Sequence, residues 1–224
     1  MAVPPAATLA RALRPRQWIK NGGVLAPLLF ARAVFVPGAA LRAFLAALAF
    51  CFISSGVYVL NDWADRERDR LHPEKRHRPI AAGLISGTVA AAMVALCWGL
   101  GFTVAFLVRM ELGWLAAAYV GLQIFYTFLL KRLVIVDVVV IAVGFVMRVV
   151  GGGVAISVPL SNWLFLCTLL LAVFLGFAKR RHELTSLQAE AASHRANLSE
   201  YSLPMLDQLI GVVAAACLVA YGIY

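Results

Sequence analysis

Charge is what this chain most lacks. Only 14% of its 224 residues are Asp, Glu, Lys or Arg, against about 25% in an ordinary soluble domain. With a mean hydropathy of +0.87, that scarcity excludes a water-soluble fold. Strand-like alternation of apolar and polar positions is missing as well, which leaves helices rather than a closed barrel to cross lipid. Cysteine is sparse: Cys51, Cys97, Cys167 and Cys217 each stand in a different apolar run. Without C-x-x-C spacing or a neighbouring histidine they read as small buried hydrophobes, not disulfide or metal ligands. The N-terminal MAVPPAATLARALRPRQWIKN has no apolar core followed by a small-residue cleavage site, so its first helix is expected to stay in the mature protein.

What the chain has in abundance is apolar length. Runs can be read at about residues 22–36, 39–60, 83–108, 112–130, 133–156, 161–178 and 204–224. Most approach the roughly 20 residues that cross a hydrocarbon core about 30 Å thick; the first is short and carries Pro27. The expectation is an all-α, polytopic transmembrane helical bundle of about seven helices, with residues 1–224 as a single integral-membrane domain. Sixteen of the 20 Lys and Arg residues fall in segments at 11–20, 66–78, 131–132 and 179–195. These alternate with segments holding only Arg32, Arg42 and Arg109, and Arg148 lies alone inside a helix. That asymmetry places the N-terminus and every charged segment in the cytoplasm. Ten of the 11 acidic residues, Glu190 among them, follow the same side, with Glu111 the exception. Carboxylates contribute little to orientation, so a catalytic or binding mouth on that face is the simplest cause.

The acids concentrate at the end of the second run. Asn61, Asp65 and Asp69 are spaced i, i+4, i+8, and Asp62 is three before Asp65, so a helix continuing past Leu60 would place them along one face. Carboxylates that close repel unless a cation sits among them. Magnesium suits hard oxygen ligands that are few and open to water, since it binds through one or two carboxylates plus substrate phosphates. The bland alternative is a solvated helix end offset by Arg66, Arg68 and Arg70. His72, Lys75, Arg76, His77 and Arg78 follow at once, and Lys and Arg are natural partners of phosphate oxygens. Metal, cations and membrane together point to a diphosphate-bearing substrate at the lipid boundary.

NDWADRERD at 61–69, followed by RPIAAG at 78–83, resembles the first aspartate-rich motif of the UbiA superfamily of intramembrane prenyltransferases. These are helical bundles, commonly of nine helices where this chain shows about seven, that use Mg2+ to hold a diphosphate. LRPRQWIKN at 13–21, HPEKRHRPIAAG at 72–83, YTFLLKRLVIVDVVVIAVGFVMRVVGGGVA at 126–155, PLSNW at 159–163 and KRRHEL at 179–184 are similar to one branch of that superfamily. Its members move 5-phosphoribose from phosphoribosyl diphosphate to a polyprenyl (decaprenyl) phosphate, toward lipid-linked arabinose for cell-wall polysaccharide. The resemblance implies a Mg2+ site on Asn61, Asp62, Asp65 and Asp69, with the three aspartates catalytic. It implies that Lys20, Lys75, Arg78, Arg148, Lys179 and Arg180 share the phosphates; Tyr126 and Tyr58, near the mouth, read as pocket lining or as ordinary interfacial aromatic residues. It places the protein in a bacterial plasma membrane. No nucleic-acid partner is called for, and a homo-oligomer is compatible with this reading. No soluble phosphoribosyltransferase signature is visible, so the donor rests on the resemblance.

Typical members of the superfamily carry a second motif, D-x-x-x-D, after the sixth helix. Here that place reads KRRHE, with Glu183 the one acid among Lys179, Arg180 and Arg181, which favours a donor with more phosphate over a prenyl diphosphate. A plain basic stop to the helix would explain those cations but not Glu183. Asp137 and Arg148 are eleven residues apart, so on a helix they share a face about 16 Å apart along the axis. Ionisable groups inside a membrane helix normally face a cavity or a partner. Asp137 is expected to point into the cavity, beside the ribose or the second-site cations, with Lys131 and Arg132 the plainer partners. Arg148 is expected to meet a substrate phosphate, with Asp137 the plainer rival. Gly144 and Gly151 to Gly153 suit close helix packing or room for a lipid tail. Two rivals remain: a superfamily member joining a prenyl diphosphate to an aromatic acceptor, and a transporter using Arg148 as part of an ion path.

Overall fold

A computed structural model describes residues 4–187 and 200–223 of the chain; Glu190 and Arg195, counted in the charge distribution above, lie outside the described residues. Those residues are helical or irregular, with no strand among them. A short helix α1 (Ala6–Leu13) leads into a 3-10 segment (Pro15–Leu25) and α2 (Ala26–Phe30). Long helices follow: α3 (Ala39–Ala64), α5 (Gly87–Val108), α6 (Met110–Phe128), α7 (Val136–Ile156), α8 (Asn162–Leu187) and α9 (Leu203–Ile223), with short α4 (Arg66–Leu71) after α3. By length and composition, α3, α5, α7, α8 and α9 can each cross a membrane. The sixth long helix, α6, falls outside that group, its apolar run diluted by Glu111 and Gln123. The all-α membrane bundle expected from the sequence is therefore what forms.

The first expected span differs from its reading. It is not one α-helix over 22–36 but a 3-10 segment and a short helix over 15–30, running antiparallel to α3. Arg14 meets Asp62, Trp18 Nε1 donates to Ser55 Oγ at 2.9 Å, and Asn21 Nδ2 donates to Ser54 Oγ at 3.1 Å. At about 2.0 Å rise per 3-10 residue and 1.5 Å per α residue, the segment extends roughly 30 Å, the thickness of a hydrocarbon core. Gln17, Lys20 and Asn21 hide it from a hydropathy reading. Backbone of this irregular kind persists at membrane depth only where protein covers it.

The cover comes from α7. A Cβ on Gly152 would lie 1.9 Å from the Val24 carbonyl oxygen, so only glycine lets the two segments meet. Gly151 and Gly153 face Phe50 and Leu160 in the same tight manner, so these glycines serve packing. The main core joins α3, α6 and α7 through Ala43, Ala46, Phe50, Leu112, Ala116 and Tyr119. Small residues on α3 also let α5 approach closely, as membrane helices do without a hydrophobic force between them. Gly152→Leu should lower unfolding stability in detergent by about 1–3 kcal/mol or more through overpacking. Gly99→Ala, where nothing lies within 4 Å, should leave the melting temperature unchanged.

Candidate active site

Helices α3, α6 and α8, with α4 and the 3-10 segment, bring residues to a shared charged mouth. α3 continues past Leu60 to Ala64, as the acidic spacing requires. At Asp65 the backbone (φ −95°, ψ 3°) leaves the helix and α4 begins. The i to i−4 hydrogen bonds survive the break: Asp65 N–H donates to Asn61 O at 2.9 Å and Asp69 N–H to Asp65 O at 2.8 Å. Asn61, Asp65 and Asp69 accordingly stay on one face and line a single cavity of about 400 Å³, within the usual range for a ligand site.

The chain then doubles back. His72 Nδ1 accepts from the Glu74 N–H at 3.2 Å, a 3-10 turn spans Lys75–His77, and Arg70 Nε donates to Ala81 O at 3.0 Å. This fold returns Arg78 onto the acids: its guanidinium lies 2.6 Å from Asp69 Oδ2 and 3.1 Å from Asp62 Oδ1. Lys131 Nζ, from the α6–α7 turn, grips both oxygens of Asp65 at 2.6 and 2.8 Å.

Three expectations change here. Asp62 does not line the cavity; it is 2% exposed, held by Arg14 at 2.5 Å and by Arg78, because its position faces α1 and the 3-10 segment. Asp137 and Arg180 are 0% and 1% exposed and lie behind the cavity wall, paired Nε to Oδ2 at 2.8 Å. Asp137 does stand beside a second-site cation, Arg180. Arg148, 5% exposed, meets neither a cavity nor Asp137. Its donors go to Asn21 Oδ1 (2.8 Å), Gly144 O (2.8 Å) and Tyr119 Oη (2.7 Å), and its guanidinium lies over the Tyr119 and Phe145 rings.

The Asp137 cluster has a further member. Tyr201 Oη donates to Asp137 Oδ1 at 2.8 Å and accepts from the Ile135 N–H at 2.7 Å. Ile135 takes a left-handed φ of 67°, rare for a β-branched residue, at the start of α7. Burial pushes the Tyr201 phenol up to about 12, so it remains a donor across the physiological range. Arg180 in turn reaches Glu183 at 2.5 Å, and Glu183 lines the cavity with Lys179, Lys20, Lys75 and Tyr126.

Sequence reasoning missed Lys131, Arg14, Arg68 and Arg132, all of which line the cavity. It read Arg14 for topology, Arg68 as an offset to the neighbouring acids, and Lys131 and Arg132 as partners of Asp137; for Arg14 and Lys131 the signal lay in proximity to Asp62 and Asp65 in space, not in sequence. In all, eight cations and three carboxylates line the cavity. Among the described residues no three His, Cys, Asp or Glu side chains gather closely enough to hold a metal by themselves. Asn61, Asp65 and Asp69 nevertheless offer oxygen donors on one wall, which fits a magnesium ion that takes its remaining ligands from water and phosphate. A second cavity of about 450 Å³ at the opposite end is bounded by Arg109, Glu111 and Ser157. Arg109 there pairs with Glu111 at 2.9 Å and closes the end of α7 through Ser157, and no stripe of donors faces it.

The match to known proteins is as specific as this geometry. The UbiA prenyltransferase family is matched over residues 23–199; the chain belongs to that family and is a membrane-bound transferase. It is similar to the decaprenyl-phosphate phosphoribosyltransferase of Mycolicibacterium smegmatis, 34% identical over 96% of this chain and 69% of that protein. It is also similar to that of Corynebacterium glutamicum, 34% identical over 96% of this chain and 66% of that protein, so it spans about two thirds of these relatives. A UbiA homologue from Archaeoglobus fulgidus, solved bound to GPP and Mg2+, superposes with a TM-score of 0.82 at 18% identity over 96% of this chain and 76% of that one, a likeness of fold.

Asp137→Asn should destabilise the protein by about 1–3 kcal/mol, the cost of a weakened buried hydrogen-bonded pair, with Glu183 still holding Arg180. Denaturant unfolding in detergent reads it. Asp207→Asn, which breaks an exposed pair with Arg181, should move the same midpoint very little.

Proposed function

We propose that this chain transfers 5-phosphoribose from phosphoribosyl diphosphate to a polyprenyl phosphate, with Mg2+ as cofactor and the charged mouth on the cytoplasmic face. The observation that carries this reading is the charge of the cavity, eight cations against three carboxylates, at a second site where Arg180 and Glu183 replace a carboxylate pair. A donor with three phosphate groups, each near −1.5 to −2 when a monoester, needs that surplus more than a prenyl diphosphate does. The names carried by the phosphoribosyltransferase relatives support the same substrates. The product would feed lipid-linked arabinose for cell-wall polysaccharide.

Asn61, Asp65 and Asp69 would hold Mg2+, which when bound neutralises the donor's diphosphate and improves it as a leaving group. Asp62 does not face the donor; it fixes Arg78 and Arg14 at the mouth. Arg78 and Lys131, which hold the aspartates in the structure, turn to phosphate oxygens as the donor enters. The ribose C1–O bond to the diphosphate breaks, its electron pair leaves on the diphosphate, and an oxygen of the lipid phosphate forms the new bond to C1. The lipid phosphate is already anionic at neutral pH, so no side chain need remove a proton. The work of the protein is positioning and charge stabilisation.

Asp65→Asn and Asp69→Asn should each cut transfer of labelled phosphoribose to polyprenyl phosphate by about two orders of magnitude or more, because metal charge stabilisation is worth several kcal/mol. The assay follows radiolabelled lipid in Mg2+ and in EDTA. Full activity in either variant removes the metal reading, and transfer only from a prenyl diphosphate to an aromatic acceptor removes the donor.

A further inference from the structure

The turn between α6 and α7 carries a strained backbone. After a 3-10 turn over Leu130–Arg132, Ile135 takes φ 67° and ψ −47°, and the Val136 N–H donates back to Val134 O at 2.7 Å. Those angles and that bond make a γ-turn of the rare, strained kind. Among the described residues the other non-glycine positions with positive φ are Arg14, Arg32 and Ser157, none of them β-branched. A conformation this costly persists only where its surroundings over-determine it, and such positions concentrate at functional sites.

One hydroxyl supplies the constraint. Tyr201, 4% exposed and packed with Val138, Phe177 and Leu206, accepts the Ile135 N–H at 2.7 Å and donates to Asp137 Oδ1 at 2.8 Å. The two bonds reach 66 and 64 residues along the chain, tying the entrance of α9 to the start of α7. Two arms lead from this point to the cavity. Earlier in the same turn, Lys131 grips both oxygens of Asp65. On the other arm, Asp137 Oδ2 accepts Arg180 Nε at 2.8 Å, and Arg180 reaches Glu183 at 2.5 Å. Lys131, Asp65 and Glu183 line the cavity, whereas Tyr201 stands outside its lining and can act on it only through these residues.

We infer that Tyr201 is a positioning residue of the transfer site: its hydroxyl latches the γ-turn at Ile135 and the carboxylate of Asp137, and so holds Lys131 and Glu183 in register on the wall of one cavity. The reaction it serves rests on the function proposed above, in which Lys131, Asp65 and the Arg180–Glu183 pair belong to the side of the sugar donor. Loss of the hydroxyl leaves a buried N–H without its acceptor and lets the turn relax toward commoner angles. The register facing the donor is then lost, and the lipid acceptor is unaffected.

Tyr201→Phe keeps the ring and removes both bonds. Two readouts on the full chain in detergent separate the latch from the reaction it serves. Amide hydrogen exchange over residues 130–138, followed by mass spectrometry, should quicken about tenfold or more, the scale of one lost hydrogen bond. Transfer of labelled phosphoribose should lose about tenfold in kcat/KM for phosphoribosyl diphosphate, with KM for that donor raised and KM for polyprenyl phosphate unchanged. Phe177→Leu loosens the same packing cluster without touching these bonds. It should lower the melting temperature and leave exchange in the turn and both KM values as they were. Asp137→Asn keeps the bond to the Ile135 N–H, so it should raise the donor KM with little change in exchange, and it carries the test if Tyr201→Phe does not fold. Unchanged exchange in Tyr201→Phe overturns the latch. A fall in kcat alone, as loss of active protein gives, or a wild-type donor KM in both variants, overturns the positioning role. Wild type that transfers no phosphoribose overturns the proposed substrates, and the exchange rates then decide the latch by themselves.

Discussion

The structure turns on a guanidinium held deep in the bundle without an opposing carboxylate. Arg148 is bound by Asn21 from the first crossing, by Tyr119 from α6 and by its own helix at Gly144. Ionisable groups at membrane depth are costly, and this one is tolerated because three neutral acceptors and two aromatic faces surround it. The same bonds fix the first crossing, which as an irregular 3-10 segment has little stability of its own. Asn21 is thus both the lid on a buried charge and the anchor of the chain that presents Lys20 and Gln17 to the cavity.

The mouth is balanced by a different device. Each of its aspartates is held by a cation from another part of the chain, Arg14, Arg78 or Lys131. These pairs offset carboxylate repulsion and cross-brace α3 to α1, to the returning loop and to the α6–α7 turn. In the proposed reaction an arriving polyanion would exchange partners within this preorganised set, which would limit the reorganisation that opposes catalysis.

Much of this was legible in the sequence, for reasons that differ by residue. The Asn61, Asp65 and Asp69 spacing was readable because helical periodicity is local, and the return of Arg78 because the loop is short and ends in proline and glycine. The first crossing was not readable as such: Lys20 and Asn21 depress its hydropathy, and their justification, Arg148 and Ser54, lies far along the chain. Asp62 resembles its neighbours in composition, and only the docking of α1 turns it inward. Asp137 and Arg148 share a face as computed from helix geometry, yet they part to separate partners. The partner of Asp137 is Arg180 on α8 and that of Arg148 is Asn21, contacts that no periodicity encodes.

Tyr201 stands eighteen positions after Glu183, at the entrance to α9, yet it closes the chain of bonds from Asp137 through Arg180 to the second-site carboxylate. The last helix is therefore a structural stakeholder in the chemistry at the mouth. Any partner, lipid or cut that disturbs how α9 seats against α8 would act at a distance on the wall that Glu183 lines.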